Sequence, residues 1–396
     1  MDTYKLVVIG TGPSGLGAAR AYLEAGGETP VLLVTAENTA PYERPPLSKQ
    51  TLRDERAPEP TELGEPKDVE VRLGSTVTGV DADARTVQLG DQTVAFEKLV
   101  IATGSTSRAL PDLDDGADVH YLRSFADLQK LHEAAGHART AVVIGSGFIG
   151  CEAAISLAMR GIAVTMVSAE RAPQIDRLGE HAADAISEIL RGYDVEVRCA
   201  TSIGQLRAPR TLHLTDGTTL EPDLILAAVG AQPATGFVDE TTVQMHEGRV
   251  VVDSHMRSSV PDIYAAGDAA RAANARAGRP VPVEHWGDAE VMGQVAGADA
   301  AGAQAQWDTV PGFWSELGEH TLQYAAWGDG YDASEVVERA GGFTVWYGQE
   351  GALVGVLAYN ADDDYDRGMQ LIAQGVSLDA AVRGDQPEEP EEPDEA

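Results

Sequence analysis

The sequence predicts an α/β fold: two domains built on parallel sheets, followed by a smaller α+β domain. Two observations carry this expectation. The first is an internal duplication in the 396 residues: Lys5–Ala19 reads KLVVIGTGPSGLGAA and Thr140–Ala154 reads TAVVIGSGFIGCEAA. Each copy is an apolar, β-branched run, then glycines, then small apolar residues at helical spacing. A second apolar strand follows each, Pro30–Thr35 (PVLLVT) and Ile162–Ser168 (IAVTMVS), giving the order of a parallel βαβ unit. The second observation is a change of pattern after Thr309. Strand-like segments such as Thr321–Trp327 and Phe343–Tyr347 alternate there with glycines, and a helical stretch near Tyr365–Gln374 closes the region.

Both glycine segments are G-x-G-x-x-G: Gly10, Gly12 and Gly15 with Pro13 and Ser14 between them, then Gly145, Gly147 and Gly150 enclosing Phe148 and Ile149. The first glycine of such a motif permits a tight turn. The second lets a pyrophosphate approach the backbone, and the third lets helix and strand pack closely, so that the helix N-terminus faces the phosphates. One copy is a weak signal. Two copies, each after a strand and opening a helix, predict two Rossmann-like dinucleotide-binding domains. Three further segments make the first a flavin site. Leu99–Ser105 (LVIATGS) ends a strand in Ala102, Thr103 and Gly104; Asp223–Pro233 (DLILAAVGAQP) repeats that form after the second copy and includes Val229 and Gly230; Asp262–Ala270 (DIYAAGDAA) runs a strand into Gly267 and Asp268. Asp268 is placed to accept hydrogen bonds from the ribityl hydroxyls of FAD; its other reading, a helix N-cap, is compatible with that role.

In the order GxGxxG, ATG, GxGxxG, VGxxP, AAGD, the chain resembles the two-dinucleotide flavoproteins of the glutathione reductase superfamily over nearly its whole length. Pro41–Lys49 (PYERPPLSK), His285-Trp286 and Pro311–Ser315 (PGFWS) narrow the resemblance to the ferredoxin reductases that serve oxygenases, a group including rubredoxin reductases and relatives of apoptosis-inducing factor. The resemblance implies that Lys49 lies beside the reactive edge of the flavin and pairs with Glu152. That pair would stabilise reduced flavin and orient the nicotinamide for hydride transfer without a general base. It also brings Arg44, Val77, His285 and Trp286 to the FAD, Arg44 with the pyrophosphate or a surface ion pair as alternatives. The C-x4-C pair of disulfide reductases is missing: Leu47, Ser48 and Lys49 occupy its neighbourhood, and the only cysteines are Cys151, beside the second motif, and Cys199, read as lying in a later strand. Electrons are therefore expected to leave directly from the flavin, to an iron-sulfur protein such as a ferredoxin or rubredoxin. The alternatives are a small acceptor (quinone, oxygen or a radical) and a redox-responsive binding protein like apoptosis-inducing factor.

The coenzyme is ambiguous between NADH and NADPH. The second strand of the second unit ends Val167, Ser168, Ala169, Glu170, Arg171. Ser168 stands nearest the usual acid position, Glu170 is placed to bind a ribose 2′-hydroxyl, and Arg171 would suit a 2′-phosphate; Gly150 gives a slight lean to NADH. In the first unit Glu37 is the candidate for the adenosine ribose.

Composition limits the remaining possibilities. The net charge is -34, with five lysines against 24 arginines, which argues against nucleic acid or anionic membrane as partner. Five arginines, Arg207, Arg210, Arg271, Arg276 and Arg279, are the candidates for a local cationic patch. No membrane span, signal peptide, metal-ligand pattern or disulfide framework is seen, so the chain reads as cytoplasmic, a monomer or homodimer. The FAD-binding domain is expected from residues 1–110 and 237–305, the NAD(P)-binding domain from 111–236 and the α+β domain from 309–383. The tail 384–396, with seven acids and no base, is expected to be disordered.

Overall fold

The computed structural model describes residues 1–111 and 113–384; the acidic tail beyond Gly384 lies outside the described residues. The chain forms two compact units, Met1–Asp308 with Glu316–Glu319, and Thr309–Ser315 with His320 onward.

Unit one contains both glycine segments. Around the first, Thr3–Ile9 sits between Val31–Val34 and Gln92–Ile101, all parallel, and Val69–Arg72 extends the sheet beyond Val31–Val34. These strands are apolar on both faces, as strands covered on both sides require: Leu6 to Val8, Leu32 to Val34 and Leu99 to Ile101 are fully buried. The long strand Gln92–Ile101 has a divided outer edge. Its first half pairs antiparallel with Thr86–Leu89, which continues to Val77–Asp81. Its last three residues pair parallel with Ile263–Ala265. A segment 164 positions downstream thus returns to the first sheet, bringing Gly267 and Asp268 to the end where the first glycine turn lies.

The second segment has its own parallel sheet, in the order Glu196–Arg198, Ala163–Val167, Thr140–Ile144, Leu224–Ala227. Val142, Ile144, Val167 and Ile225 of this sheet share a core with Leu206, Leu212 and Leu214 of a small antiparallel sheet. Cys199 is one residue past the end of Glu196–Arg198, a correction to its expected place within a strand. Of the five arginines, Arg207 and Arg210 belong to the small sheet's first hairpin and Arg271 and Arg279 to another sheet, with Arg210 paired to Asp118 and Arg276 to Asp308.

The second unit is a five-stranded sheet, ordered Gly312–Leu317, His320–Ala326, Ala352–Tyr359, Gly342–Gln349, Ala333–Arg339. Helices Asp362–Gln374 and Leu378–Arg383 cover one face, burying Trp346, Val356, Leu371, Ile372 and Ala381. Gly368 makes that contact possible: a Cβ there would lie 2.6 Å from the Val356 side chain.

Candidate functional site

The two glycine turns are built alike. Gly10 has φ +112° and Gly145 φ +105°, and a Cβ would lie 2.2 Å from the Ala102 carbonyl oxygen in the first and 2.3 Å from that of Ala228 in the second. Gly15 and Gly150 pack onto the carbonyls of Gly10 and Gly145, at 1.9 and 2.3 Å for a Cβ. The middle glycines differ in kind. Among the described residues, nothing stands within 4 Å of a Cβ on Gly12, and only the tip of Gln174, at 3.9 Å, approaches one on Gly147. Their φ values, -73° and -64°, suit any residue. The protein itself therefore has no steric need for glycine at Gly12 or Gly147. Each precedes a helix, Pro13–Glu24 or Phe148–Met159, with no side-chain cap and no acid in its first turn, so backbone N–H groups face an open cradle suited to a pyrophosphate.

Around the first turn, Ser14 Oγ and Thr103 Oγ1 are shielded from solvent without a hydrogen-bond partner among the described residues, as donors awaiting a polar ligand would be. Gly104 and Gly267 both have positive φ, bending the chain at the sheet's end. Asp268 is buried in the short 3-10 turn Gly267–Ala269, not at the N-cap of a long helix. Its carboxylate accepts from Ser105 Oγ and from Arg123 Nη2, each at 2.6 Å. Glu37 lies three residues past its strand and accepts from Arg44 at 2.5 Å and Tyr42 at 2.6 Å; Arg44 also donates to the Arg123 carbonyl. The Arg44 guanidinium is thus committed to an acid on the same rim. Gly74 and Ser75 hydrogen-bond to the backbone of Glu37 and Thr35, which sets Val77, the next strand's first residue, beside that rim. His285 is the N-cap of helix Trp286–Ala300 and contacts Asp288 at 3.0 Å. Gly293 and Gly297 seat this helix on the Ser14 and Ala18 backbone, where a Cβ would lie 2.0 Å from each carbonyl. Its first turn therefore faces the same crevice.

Beside the second turn is a cavity of about 540 Å³, lined among others by Gly145, Gly147, Ser168, Glu170, Val229 and Gly230. Ser168 Oγ contacts Ser146 Oγ at 2.6 Å, and Glu170 accepts from the Gln174 backbone at 2.9 Å. Arg171 is not part of the lining; it is exposed and pairs with Glu180 at 3.0 Å. Phe148 and Ile149 open the helix outside the lining, Ile149 exposed to solvent.

Lys49 and Glu152 meet. Lys49 Nζ lies 3.2 Å from Glu152 Oε1, and the two side chains are only 7% and 5% exposed. Lys49 follows the 3-10 turn Pro45–Ser48 and Glu152 sits in the first turns of Phe148–Met159. The ammonium also donates to the Pro45 carbonyl at 3.1 Å. Of its three donor hydrogens, two thus have partners among the described residues. Ser48 Oγ takes the other Glu152 oxygen at 2.5 Å. Cys151 is fully buried, and burial pushes its thiol well up, so it remains protonated and unreactive. The described residues hold no group of metal-ligating side chains and no helix long and apolar enough to cross a membrane.

Sequence reading missed Arg123, Ser146, Gln174 and Ser48. Ser146 and Ser48 stood inside motifs already singled out. Arg123 is 145 positions from its acid, and nothing in the sequence joins them.

Residues 4–305 match the pyridine nucleotide-disulphide oxidoreductase family. The chain belongs to this family. Residues 312–389 match the reductase C-terminal family. The chain is 32% identical to a ferredoxin–NAD(P)+ reductase of a Sphingomonas species, over 93% of this chain and 92% of that one. It is 30% identical to rhodocoxin reductase of Rhodococcus erythropolis, over 94% and 90%. Among solved structures it resembles the covalent putidaredoxin reductase–putidaredoxin complex, with a TM-score of 0.88, 25% identity and coverage of 98% and 99%. As a pyridine nucleotide-disulphide oxidoreductase the protein is an FAD-containing oxidoreductase that uses a nicotinamide dinucleotide, and its two cradles fit those two ligands. It does so with two free cysteines and no disulfide.

Proposed function

We propose that this protein is an NADH-dependent reductase that passes electrons singly from FAD to an iron-sulfur protein serving an oxygenase. The observation that carries the reading is the buried Lys49–Glu152 pair, which links the two cradles in a chain without a reactive thiol. Residues 1–110 and 237–305 form the FAD-binding domain in this reading, 111–236 the NAD(P)-binding domain and 309–383 the α+β domain.

Bound FAD supplies the chemistry, accepting two electrons with a hydride from the reduced nicotinamide and releasing them one at a time. The chain supplies position and charge. Gly12 and Gly147 leave room for the two pyrophosphates, Ser14, Thr103 and Asp268 bind polar groups of the flavin cofactor, and Arg123 keeps the Asp268 carboxylate in place. Lys49 and Glu152 share their burial, and in this reading the Lys49 hydrogen not taken by Glu152 or Pro45 serves the crevice, where negative charge grows on reduction. NADH is favoured over NADPH because Glu170 lines the coenzyme cavity while Arg171 is turned to Glu180.

A small-molecule acceptor is the second reading. The net charge of -34 favours it, since an acidic iron-sulfur protein would be repelled at low salt. Steady-state turnover with NADH decides between them, comparing ferredoxin-type and rubredoxin-type proteins with quinones and oxygen across salt. Efficient iron-sulfur reduction that improves with salt supports the first; turnover confined to quinone or oxygen contradicts it.

A further inference from the structure

We propose that Ser48 is a positioning residue for the Lys49–Glu152 pair, its hydroxyl holding one oxygen of the Glu152 carboxylate so that the other faces the Lys49 ammonium. The inference rests on the role given to that pair above.

Ser48 and Lys49 are consecutive, yet both reach Glu152, at 2.5 Å and 3.2 Å. The chain leaves its 3-10 turn at Lys49 (φ -109°, ψ -122°), which lets neighbouring side chains converge on one carboxylate. An ionised carboxylate only accepts, so the Ser48 hydroxyl is the donor. Ser48 is itself held by the same helix. Ser156, one turn beyond Glu152 and on the same face, donates Oγ to the Ser48 carbonyl at 2.7 Å. The helix thus grips the turn twice, through the Ser48 carbonyl and through its hydroxyl, and all three residues are buried.

This arrangement restricts the ion pair. Ser48 holds the Glu152 oxygen that Lys49 does not contact, which opposes a two-oxygen contact that would draw the ammonium towards the helix. With one oxygen committed, Lys49 keeps a single contact to Glu152 and one to Pro45, and its third hydrogen remains for the crevice.

The test compares wild type, Ser48→Ala, Ser48→Thr, Glu152→Gln and the double variant Ser48→Ala/Glu152→Gln, each purified with FAD. Three quantities are measured: flavin content with melting temperature, the long-wavelength charge-transfer absorbance of the reduced protein with NAD+, and the anaerobic rate of flavin reduction by saturating NADH. Ser48→Ala is expected to retain FAD, lose most of the charge-transfer absorbance and slow reduction about tenfold, part of what a hydrogen bond to a buried charge contributes. Ser48→Thr, which keeps the hydroxyl, recovers most of both. In the Glu152→Gln background, Ser48→Ala adds less than about a twofold change, because the two residues act through one contact. Should Ser48→Thr fold poorly, Ser156→Ala loosens the same turn and is expected to give a smaller loss, about threefold, in the same two signals. A wild-type rate in Ser48→Ala, or an equal loss in both backgrounds, overturns the role of Ser48 while leaving the pair intact. A Glu152→Gln protein reduced at the wild-type rate overturns the reading of the pair itself.

Discussion

At Glu170 and Arg171 adjacent side chains of opposite charge face different surroundings. The sequence offered both to the coenzyme, because a strand end two residues uncertain places either at the ribose. The distinction depends on Glu180, nine positions on, which takes the arginine. A preference for NADH in kcat/KM is expected, and Glu170→Ala should narrow it by about 1.5–3 kcal/mol, the scale of a hydrogen bond to a charged group. An unchanged ratio would assign ribose recognition to another residue. Asp268 shows the opposite limit of legibility. The AAGD segment identified the acid, whereas its partner Arg123 was invisible, since ion pairs between distant segments leave no local pattern. Asp268→Ala should lower FAD occupancy and leave the partly solvated Arg123 unpaired at a cost of about 1–3 kcal/mol in stability. Denaturation curves and the flavin-to-protein absorbance ratio report the two effects separately.

The strand–turn–helix elements were the most legible part of the chain. Apolar β-branched runs buried on both faces, ended by glycine, leave few alternatives. The 3-10 turn Pro45–Ser48 and the pairing of Ser105–Ser107 with Ala231–Pro233 were not predictable to that degree, because tertiary contacts decide them. The glycines within the first turn give an element-level test. Gly10→Ala and Gly15→Ala place a methyl inside backbone carbonyls and should cost several kcal/mol, at or beyond the ~1–3 kcal/mol typical of overpacking. Gly12→Ala meets open space at an ordinary φ, so its stability as apoprotein should shift by less than about 1 kcal/mol. It should nevertheless weaken FAD binding, because the methyl enters the cradle. Apoprotein melting together with FAD titration checks this: unchanged FAD affinity in Gly12→Ala would remove the pyrophosphate from that cradle.

Across the whole molecule, one motif used twice yields two cradles, and in the proposed reading function depends on the residues that join them. Cys151 lies at this junction but is buried with a raised thiol pKa, so it is packing rather than chemistry. Replacing Cys151 and Cys199 with serine should leave the rate of flavin reduction within about twofold, the residual being a small packing change; a loss of two orders of magnitude in folded protein would establish a thiol relay. Lys49 and Glu152, 103 positions apart, carry the central claim. Removing one member of a buried pair costs ~3–5 kcal/mol, only part of which enters the barrier, so Lys49→Ala should slow flavin reduction ~10- to 1000-fold with FAD still bound. The most direct measurement is anaerobic stopped-flow reduction by NADH of wild type, Lys49→Ala, Glu152→Ala and the double variant. The account predicts a double variant less impaired than the product of the two single losses. Strictly multiplicative losses, or Lys49→Ala reduced at the wild-type rate, would contradict it.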